Sequence, residues 1–267
     1  MLSANNLRKT IINMAYAGST VHIGCAFSIV EILLVLYRDF LNYPQQDCTS
    51  ASRDYLILSK GHGVMAQYAC MLEMGWIEQQ QLDNYFGDGT DLKGLSDSRV
   101  RGLEVTSGSL GHGFSVGIGM AFGAKLKATS QRTYIVVGDG EINEGAIWEG
   151  ALFASHHQLQ NVMVIVDANG FQAMDRTDDV LSLGKIEDKF IAFGFETVCV
   201  NGHDELEIKK TIQDLWESTS NKPKAIVAKT TKGKGVTFME DNNIWHYTRL
   251  TPETYSQSIS ELNRVDK

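Results

Sequence analysis

Two rhythms of apolar residues divide the chain. Leu7, Ile11, Met14 and Ala15 recur at helical spacing and predict an amphipathic helix, and residues 29–40 (IVEILLVLYRDF) predict a second, deeply buried one. Later in the chain, short continuous runs rich in β-branched residues take over: YIVV (134–137), VMVIV (162–166), TVCV (197–200) and AIVA (225–228). Such runs suit strands covered on both faces. Between them lie helical patterns at 147–158, 186–193 and 204–218. In the last, Asp204 is placed to cap a helix expected to carry Leu206, Ile212, Leu215 and Trp216 on its apolar side. Strand and helix in alternation predict an α/β fold, a three-layer α/β/α arrangement around a mainly parallel sheet. With no internal repeat or linker-like stretch, residues 1–267 read as one domain, with 236–267 as a C-terminal extension.

Composition narrows the partners. The chain carries 24 basic and 32 acidic residues, a formal charge of −8, whereas nucleic-acid-binding domains present a dense basic face to the phosphates. The one basic cluster, at 229–234, is small. No apolar run reaches the roughly 18–20 residues that span a bilayer, and the N-terminus lacks a charged-then-apolar signal pattern, so a cytoplasmic location without membrane or nucleic-acid partners is expected. Cys25, Cys48, Cys70 and Cys199 form no CxxC pair and are expected to be reduced and structural. The composition also holds 25 glycines against three prolines. Glycine lets a backbone turn sharply or approach a ligand closely.

Some of those glycines stand at strand ends. Gly138-Asp139-Gly140-Glu141 follows YIVV directly, and Asp167-Ala168-Asn169-Gly170 follows VMVIV. Ligands of open parallel sheets bind beyond the carboxyl ends of the strands. Two glycines flanking Asp139 allow the backbone to reach a diphosphate while the carboxylate holds a hard cation. Asn169 offers a neutral oxygen and the carbonyl of Phe171 another. With two diphosphate oxygens and a water these complete the octahedron that Mg²⁺ requires.

This pattern resembles that of the thiamine diphosphate enzymes, whose GDG motif is followed by an asparagine at the next strand end; here 28 residues lie between Gly140 and Asn169. LSKGHG (58–63), EVTSGSLG (104–111), GDGEINEG (138–145) with Glu149, and KGKGV (232–236) with Trp245-His246 are similar to transketolase segments in transketolase order. The resemblance covers nearly the whole chain and corresponds to the N-terminal, diphosphate-binding part of that family.

The resemblance implies ketol transfer: a two-carbon unit moves from a ketose or ketose phosphate to an aldose through a thiamine diphosphate carbanion and enamine. Asp139, Asn169 and the Phe171 carbonyl would hold Mg²⁺, or Ca²⁺ or Mn²⁺ in its place. Gly138, Gly140, Glu141 and His62 would lie against the cofactor diphosphate. Gly108 would offer its carbonyl to the 4′-amino group, with Ser109 beside it, and Leu110 would pack on the rings. His22, His62 and His246 would meet sugar hydroxyls, His246 also touching the cofactor, and imidazole suits proton removal and return near neutral pH. Glu144 and Glu149 would lie at a subunit interface, Glu144 close to the chemistry. His156, His157 and His203 read as surface residues.

The chain departs from the family at two places. Lys93-Gly94-Leu95-Ser96 stands where transketolases carry PGHP, removing a histidine that touches substrate, and Gly111-His112-Gly113 replaces GQG, bringing an imidazole close to the expected thiazolium. His112 is thus a candidate for the lost role, and the pair of changes suggests an unusual donor sugar. The resemblance also implies a partner: a C-terminal transketolase subunit with the pyrimidine-binding and C-terminal domains, in an A2B2 assembly. Two alternatives stay open, a decarboxylating ligase or E1α-like subunit using pyruvate, and a non-catalytic subunit that binds thiamine diphosphate. A Rossmann nucleotide domain is weaker, because no GxGxxG follows the first apolar run.

Overall fold

The computed structural model describes residues 2–265. Helix α1 (Ala4–Ala17) is capped by Ser3, whose hydroxyl accepts from the Asn6 amide, and it buries Leu7, Ile11, Met14 and Ala15. Helices α2 (Ile23–Phe27) and α3 (Val30–Val35) follow, and a π-helical turn (Leu36–Phe40) extends α3 through the apolar run. After β1 (Tyr55–Leu58) come α4 (Val64–Glu73), α5 (Gln79–Asp83) and α6 (His112–Leu126). The second half alternates β2 (Thr133–Gly138), α7 (Gly145–His156), β3 (Val162–Ala168), α8 (Thr177–Leu181), α9 (Ile186–Ala192), β4 (Glu196–Asn201), α10 (Glu205–Glu217) and β5 (Lys224–Lys229), and α11 (Pro252–Val265) closes it. Residues 1, 266 and 267, the last two in the expected extension, lie outside the described part. Among the described residues, no helix is long and apolar enough to cross a membrane.

The five strands are parallel in the order β1-β2-β3-β5-β4. Successive strand residues point to opposite faces, so each strand feeds two cores. Tyr134, Val136, Met163 and Ile165 pack with residues of α1, α3, α4 and α10. Ile135, Val137, Val164 and Val166 pack with residues of α6, α7 and α9. The chain steps past an open place to form β4, then returns to insert β5 beside β3. A right-handed crossover in the reverse direction puts its helix on the opposite face, which is why α10 leaves the layer that holds α7 and α9. Helix α10 thus joins α1, α3 and α4 in the second helical layer of a three-layer α/β/α arrangement.

Two elements differ from the sequence reading. Strand β1 is only YLIL, a run with one β-branched residue, and it gains its strand character from pairing with β2. In α10, Asp204 does cap the helix, accepting from the amides of Leu206 and Glu207, but Leu206 is 80% exposed. Ile208, Ile212 and Leu215 form the buried stripe, and Leu206 is rotated from Ile208 by about 200°.

All five strands deliver their carboxyl ends to one edge. Helix α6 lies tight against that edge, since a Cβ on Gly113 would stand 2.8 Å from Ser59 Cα; this contact brings the Phe114 amide to 2.8 Å from Ser59 Oγ. At the chain ends, α11 packs on α1. Asn5 Nδ2 donates to the Leu262 carbonyl at 2.8 Å, the Tyr255 hydroxyl to Asn13 Oδ1 at 2.9 Å, and the Tyr16 and Tyr255 rings stack.

Candidate active site

A cavity of about 500 Å³ opens at the carboxyl edge of the sheet. Beneath it Lys60, two residues past β1, meets Asp167, near the end of β3, in an ion pair that water does not reach. Asp167 also accepts from Ser28 Oγ at 2.7 Å, Asn169 Nδ2 at 2.9 Å and the Thr230 hydroxyl, while Lys60 Nζ donates to the Cys25 carbonyl at 3.2 Å. Burial by itself would raise the Asp167 carboxyl, but Lys60 and the hydroxyl donors override it and hold the group below its ordinary value. Because both charges are paired and hydrogen-bonded, removing Lys60 alone would leave a buried anion at a cost of about 3–5 kcal/mol.

Asp139 is 3% exposed. Its carboxylate accepts from the amides of Gly140 (2.8 Å) and Gly170 (2.6 Å); the second contact needs the left-handed φ of +76° that glycine provides at 170. Burial, reinforced by the Asp167 charge, pushes Asp139 up to about 6. No ion pair reaches it among the described residues, so the carboxylate is a buried oxygen donor without a cationic side chain of its own. Asn169 Oδ1 sits over the same turn, accepting from Phe171 N at 3.0 Å. A Cβ added to Gly138 would meet nothing closer than Lys60 methylenes at 3.8 Å, so its side of the cavity is clear for a ligand. Carboxylate, amide and carbonyl oxygens next to this open glycine backbone fit a hard divalent cation and a diphosphate.

Glu141 ties the edge together. Its buried carboxylate accepts from Ser59 Oγ (2.5 Å), Gly111 N (2.8 Å) and Gly138 N (3.2 Å), joining the end of β1, the start of α6 and the end of β2.

Across the cavity three imidazoles form a triangle. The ring centroids of His22, His62 and His246 stand 5.4 to 5.6 Å apart. His22 has a left-handed φ of 70°, and its amide donates to the His246 carbonyl at 3.1 Å. Burial, followed by the Lys232 charge, lowers His22 to about 4 and His246 to about 3, and burial with the Lys60 charge lowers His62 well below its ordinary value. All three rings are neutral at pH 7. Lys232 is itself buried, with Nζ 2.6 Å from Asn243 Oδ1 and 2.8 Å from His246 Nδ1.

The cavity therefore gathers His22, His62, His246, Gly108, Leu110, Gly138, Asp139, Gly140, Glu141, Glu144, Asn169 and Phe171, the greater part of the residues singled out in the sequence. His112 and Ser109 lie elsewhere. Both are exposed and line an adjoining depression with Lys93 and Asp97, separated from the cavity by Leu95 and Gly108. His112 heads α6, whose first turn is fixed by the Ser59 contact, so its ring is carried outward. Glu149 is exposed on α7, away from the cavity. Lys60, Asp167 and Lys232 escaped the sequence reading as functional groups, although LSKGHG and KGKGV contain two of them. His203 is not a free surface residue: Nδ1 lies 2.9 Å from Glu31 Oε2, and Nε2 accepts from Thr231 N at 2.8 Å. Glu31 is paired in turn with buried Arg8, and the three residues brace the turn that presents Lys232.

A strand-end oxygen set and a facing histidine wall define the class: an α/β domain that binds a diphosphate cofactor. The description "Transketolase, thiamine diphosphate binding domain" matches residues 2–261, and the chain belongs to that family. It is 35% identical over 100% of its length to one of the subunits of an apulose-4-phosphate transketolase from Phocaeicola vulgatus, covering 95% of that protein. It is 34% identical to "6-deoxy-6-sulfo-D-fructose transketolase subunit SqwG" of Clostridium sp. (strain MSTE9), over 98% of this chain and 95% of the relative. The crystal structure of transketolase from Campylobacter jejuni superposes with a TM-score of 0.91 at 28% identity, over 97% of this chain and 42% of the other. The similarity is thus to transketolase subunits of matching length and to a part, about two fifths, of a longer transketolase. These are transketolase-type transferases, and the pyruvate-dependent alternative finds no support among them.

Proposed function

We propose that this chain forms half of the active site of a two-chain transketolase that moves a two-carbon ketol unit from a ketose or ketose phosphate to an aldose. The observation that carries it is the placing of three neutral histidines opposite a buried oxygen donor set in one cavity. Asp139, Asn169 and the Phe171 carbonyl would hold Mg²⁺, with Ca²⁺ or Mn²⁺ as substitutes, and Gly138, Gly140, Glu141 and His62 would border the diphosphate. Lys232 adds positive charge there. Gly108 and Leu110 would border the rings. Bound thiamine diphosphate supplies the carbon nucleophile and the electron sink.

The chain's own residues handle position and protons. A neutral imidazole offers a sugar hydroxyl one lone pair and one N–H; in His246 the Nδ1 lone pair already accepts from Lys232, so its Nε2–H would donate. An imidazolium would sit beside Lys60 and Lys232, so a proton accepted there is passed on rather than kept. Leu95, which lines the same cavity, turns an apolar surface toward the donor. With the specialised sugars named for the relatives, this supports a donor other than the common pentose phosphates.

A partner chain with the pyrimidine-binding and C-terminal domains, the C-terminal transketolase subunit, would complete the site in an A2B2 cytoplasmic enzyme, Glu144 and Glu149 lying at the contact. The test is ketol transfer by the purified chain with and without that partner. Turnover is expected only when both are present, and slower with xylulose 5-phosphate and ribose 5-phosphate than with the physiological pair. Transfer by the isolated chain would refute the shared site, and full efficiency with the pentose phosphates would refute the specialised donor.

A further inference from the structure

The cavity holds a second set of metal-ligating atoms, chemically unlike the first. Cys25 on α2, His62 in the turn after β1 and His246 in the turn before α11 bring one ligand atom each to within 4.8 Å of one another. Cys25 Sγ and His246 Nδ1 are 3.5 Å apart. In a tetrahedral zinc site with Zn–S near 2.3 Å and Zn–N near 2.0 Å, ligand atoms stand about 3.3–3.7 Å apart. The Cys25–His246 pair already has that spacing, and side-chain rotation closes the others. We infer that Cys25, His62 and His246 form a binding site for a soft or borderline divalent cation such as Zn²⁺, separate from the oxygen site at Asp139, Asn169 and Phe171.

Ligand chemistry keeps the two sites apart. Carboxylate, amide and carbonyl oxygens select Mg²⁺, whereas thiolate and imidazole select Zn²⁺. Binding replaces the Cys25 S–H bond with S–Zn, and the proton leaves to solvent. Lys232 has to release His246 Nδ1, and it keeps other acceptors in Asn243 Oδ1 (2.6 Å) and the Gln172 carbonyl (3.5 Å). Lys60, the other nearby cation, is neutralised by Asp167. The fourth coordination position faces the cavity, where water or a sugar hydroxyl would fill it.

The binding site stands on geometry alone. A consequence rests on the proposed function: Zn²⁺ held here ties up His62 and His246, which would meet both the sugar and the cofactor, so it inhibits ketol transfer without displacing Mg²⁺.

Cobalt(II), added to the full-length chain saturated with Mg²⁺, is the probe. One equivalent should give a cobalt–thiolate charge-transfer absorption, and Zn²⁺ should abolish it. Cys25→Ser should remove the absorption and weaken Zn²⁺ binding more than about 100-fold, beyond what the loss of an outer-shell partner costs; Cys48→Ser and Cys199→Ser should leave both unchanged. If Cys25→Ser does not fold, judged by circular dichroism, His246→Gln provides the same reading through weakened binding. Absorption that follows Cys48 or Cys199, or Zn²⁺ affinity unchanged in both cluster variants, overturns the site. In the assembled enzyme, chelation should restore zinc-inhibited transfer with no added Mg²⁺. Zinc bound at the cluster without inhibition would leave the site standing and overturn the sugar-facing role of these histidines.

Discussion

His22 and His246 show how burial sets the chemistry of a side chain. In the unfolded chain a histidine titrates near 6.5; in the folded one burial and Lys232 bring these two to about 4 and about 3. Between those values and 6.5 the unfolded state binds more protons, so stability rises with pH across the window. The contribution is fully present above about 6.5 and lost as the pH falls toward the folded values. Acidification through this range should therefore lower the thermal midpoint of the metal-free chain relative to that of the double variant His22→Asn/His246→Asn, in which the raised Asp139 carboxyl contributes its opposite trend unchanged. Equal slopes in calorimetric scans would show that the rings are not held neutral by the fold. Residues differ in how far their sequence context reveals them. Asp139 and Asn169 are readable because GDG and its asparagine are local and sit at recognisable strand ends. Lys60 and Asp167 are not, because 107 positions separate them and only the β1–β2–β3 pairing makes them partners. His203 looks like a surface residue for the same reason, its acceptor Glu31 lying 172 positions away.

Glu141 acts on elements rather than on chemistry. One carboxylate accepts from a hydroxyl after β1 and from amides at the start of α6 and the end of β2. Glu141→Ala leaves those buried donors without an acceptor, a cost of about 2–3 kcal/mol, and should lower the denaturant midpoint correspondingly. A variant as stable as the parent would mean that the edge is held by packing alone. The GDGE motif marks Glu141 as a cofactor neighbour, and its clamp role is hidden because Ser59 and Gly111 are remote. Among the elements themselves, the β-branched runs of β2, β3, β4 and β5 are plain. YLIL is not, since four residues with one β-branched side chain fit a helix equally well. Leu206 falls on the outer side of α10 because the phase of a helix is set by its buried stripe and not by its first leucine.

The whole molecule leaves one layer incompletely covered. On α6 and α7, Leu126 is 71% and Leu152 59% exposed, with Val116 and Phe153 also open, and Glu149 shares the outer face of α7 with Leu152. Large exposed apolar side chains grouped on adjoining helices mark an association surface. Leu152→Asp, which disturbs no buried contact, should weaken assembly with the partner chain by about tenfold, the worth of one buried leucine, as read by sedimentation. Assembly at parental strength would place the partner elsewhere. This surface is invisible in the sequence, where exposed and buried leucines look alike. The packing of α11 on α1 bears on the order of folding: His22 and His246, which meet in the cavity, stand 224 positions apart in the chain. The oxygen donors Asp139 and Asn169 lie 30 positions apart at the ends of adjacent strands, so they should come together before the imidazole wall, whose closure requires a much longer loop.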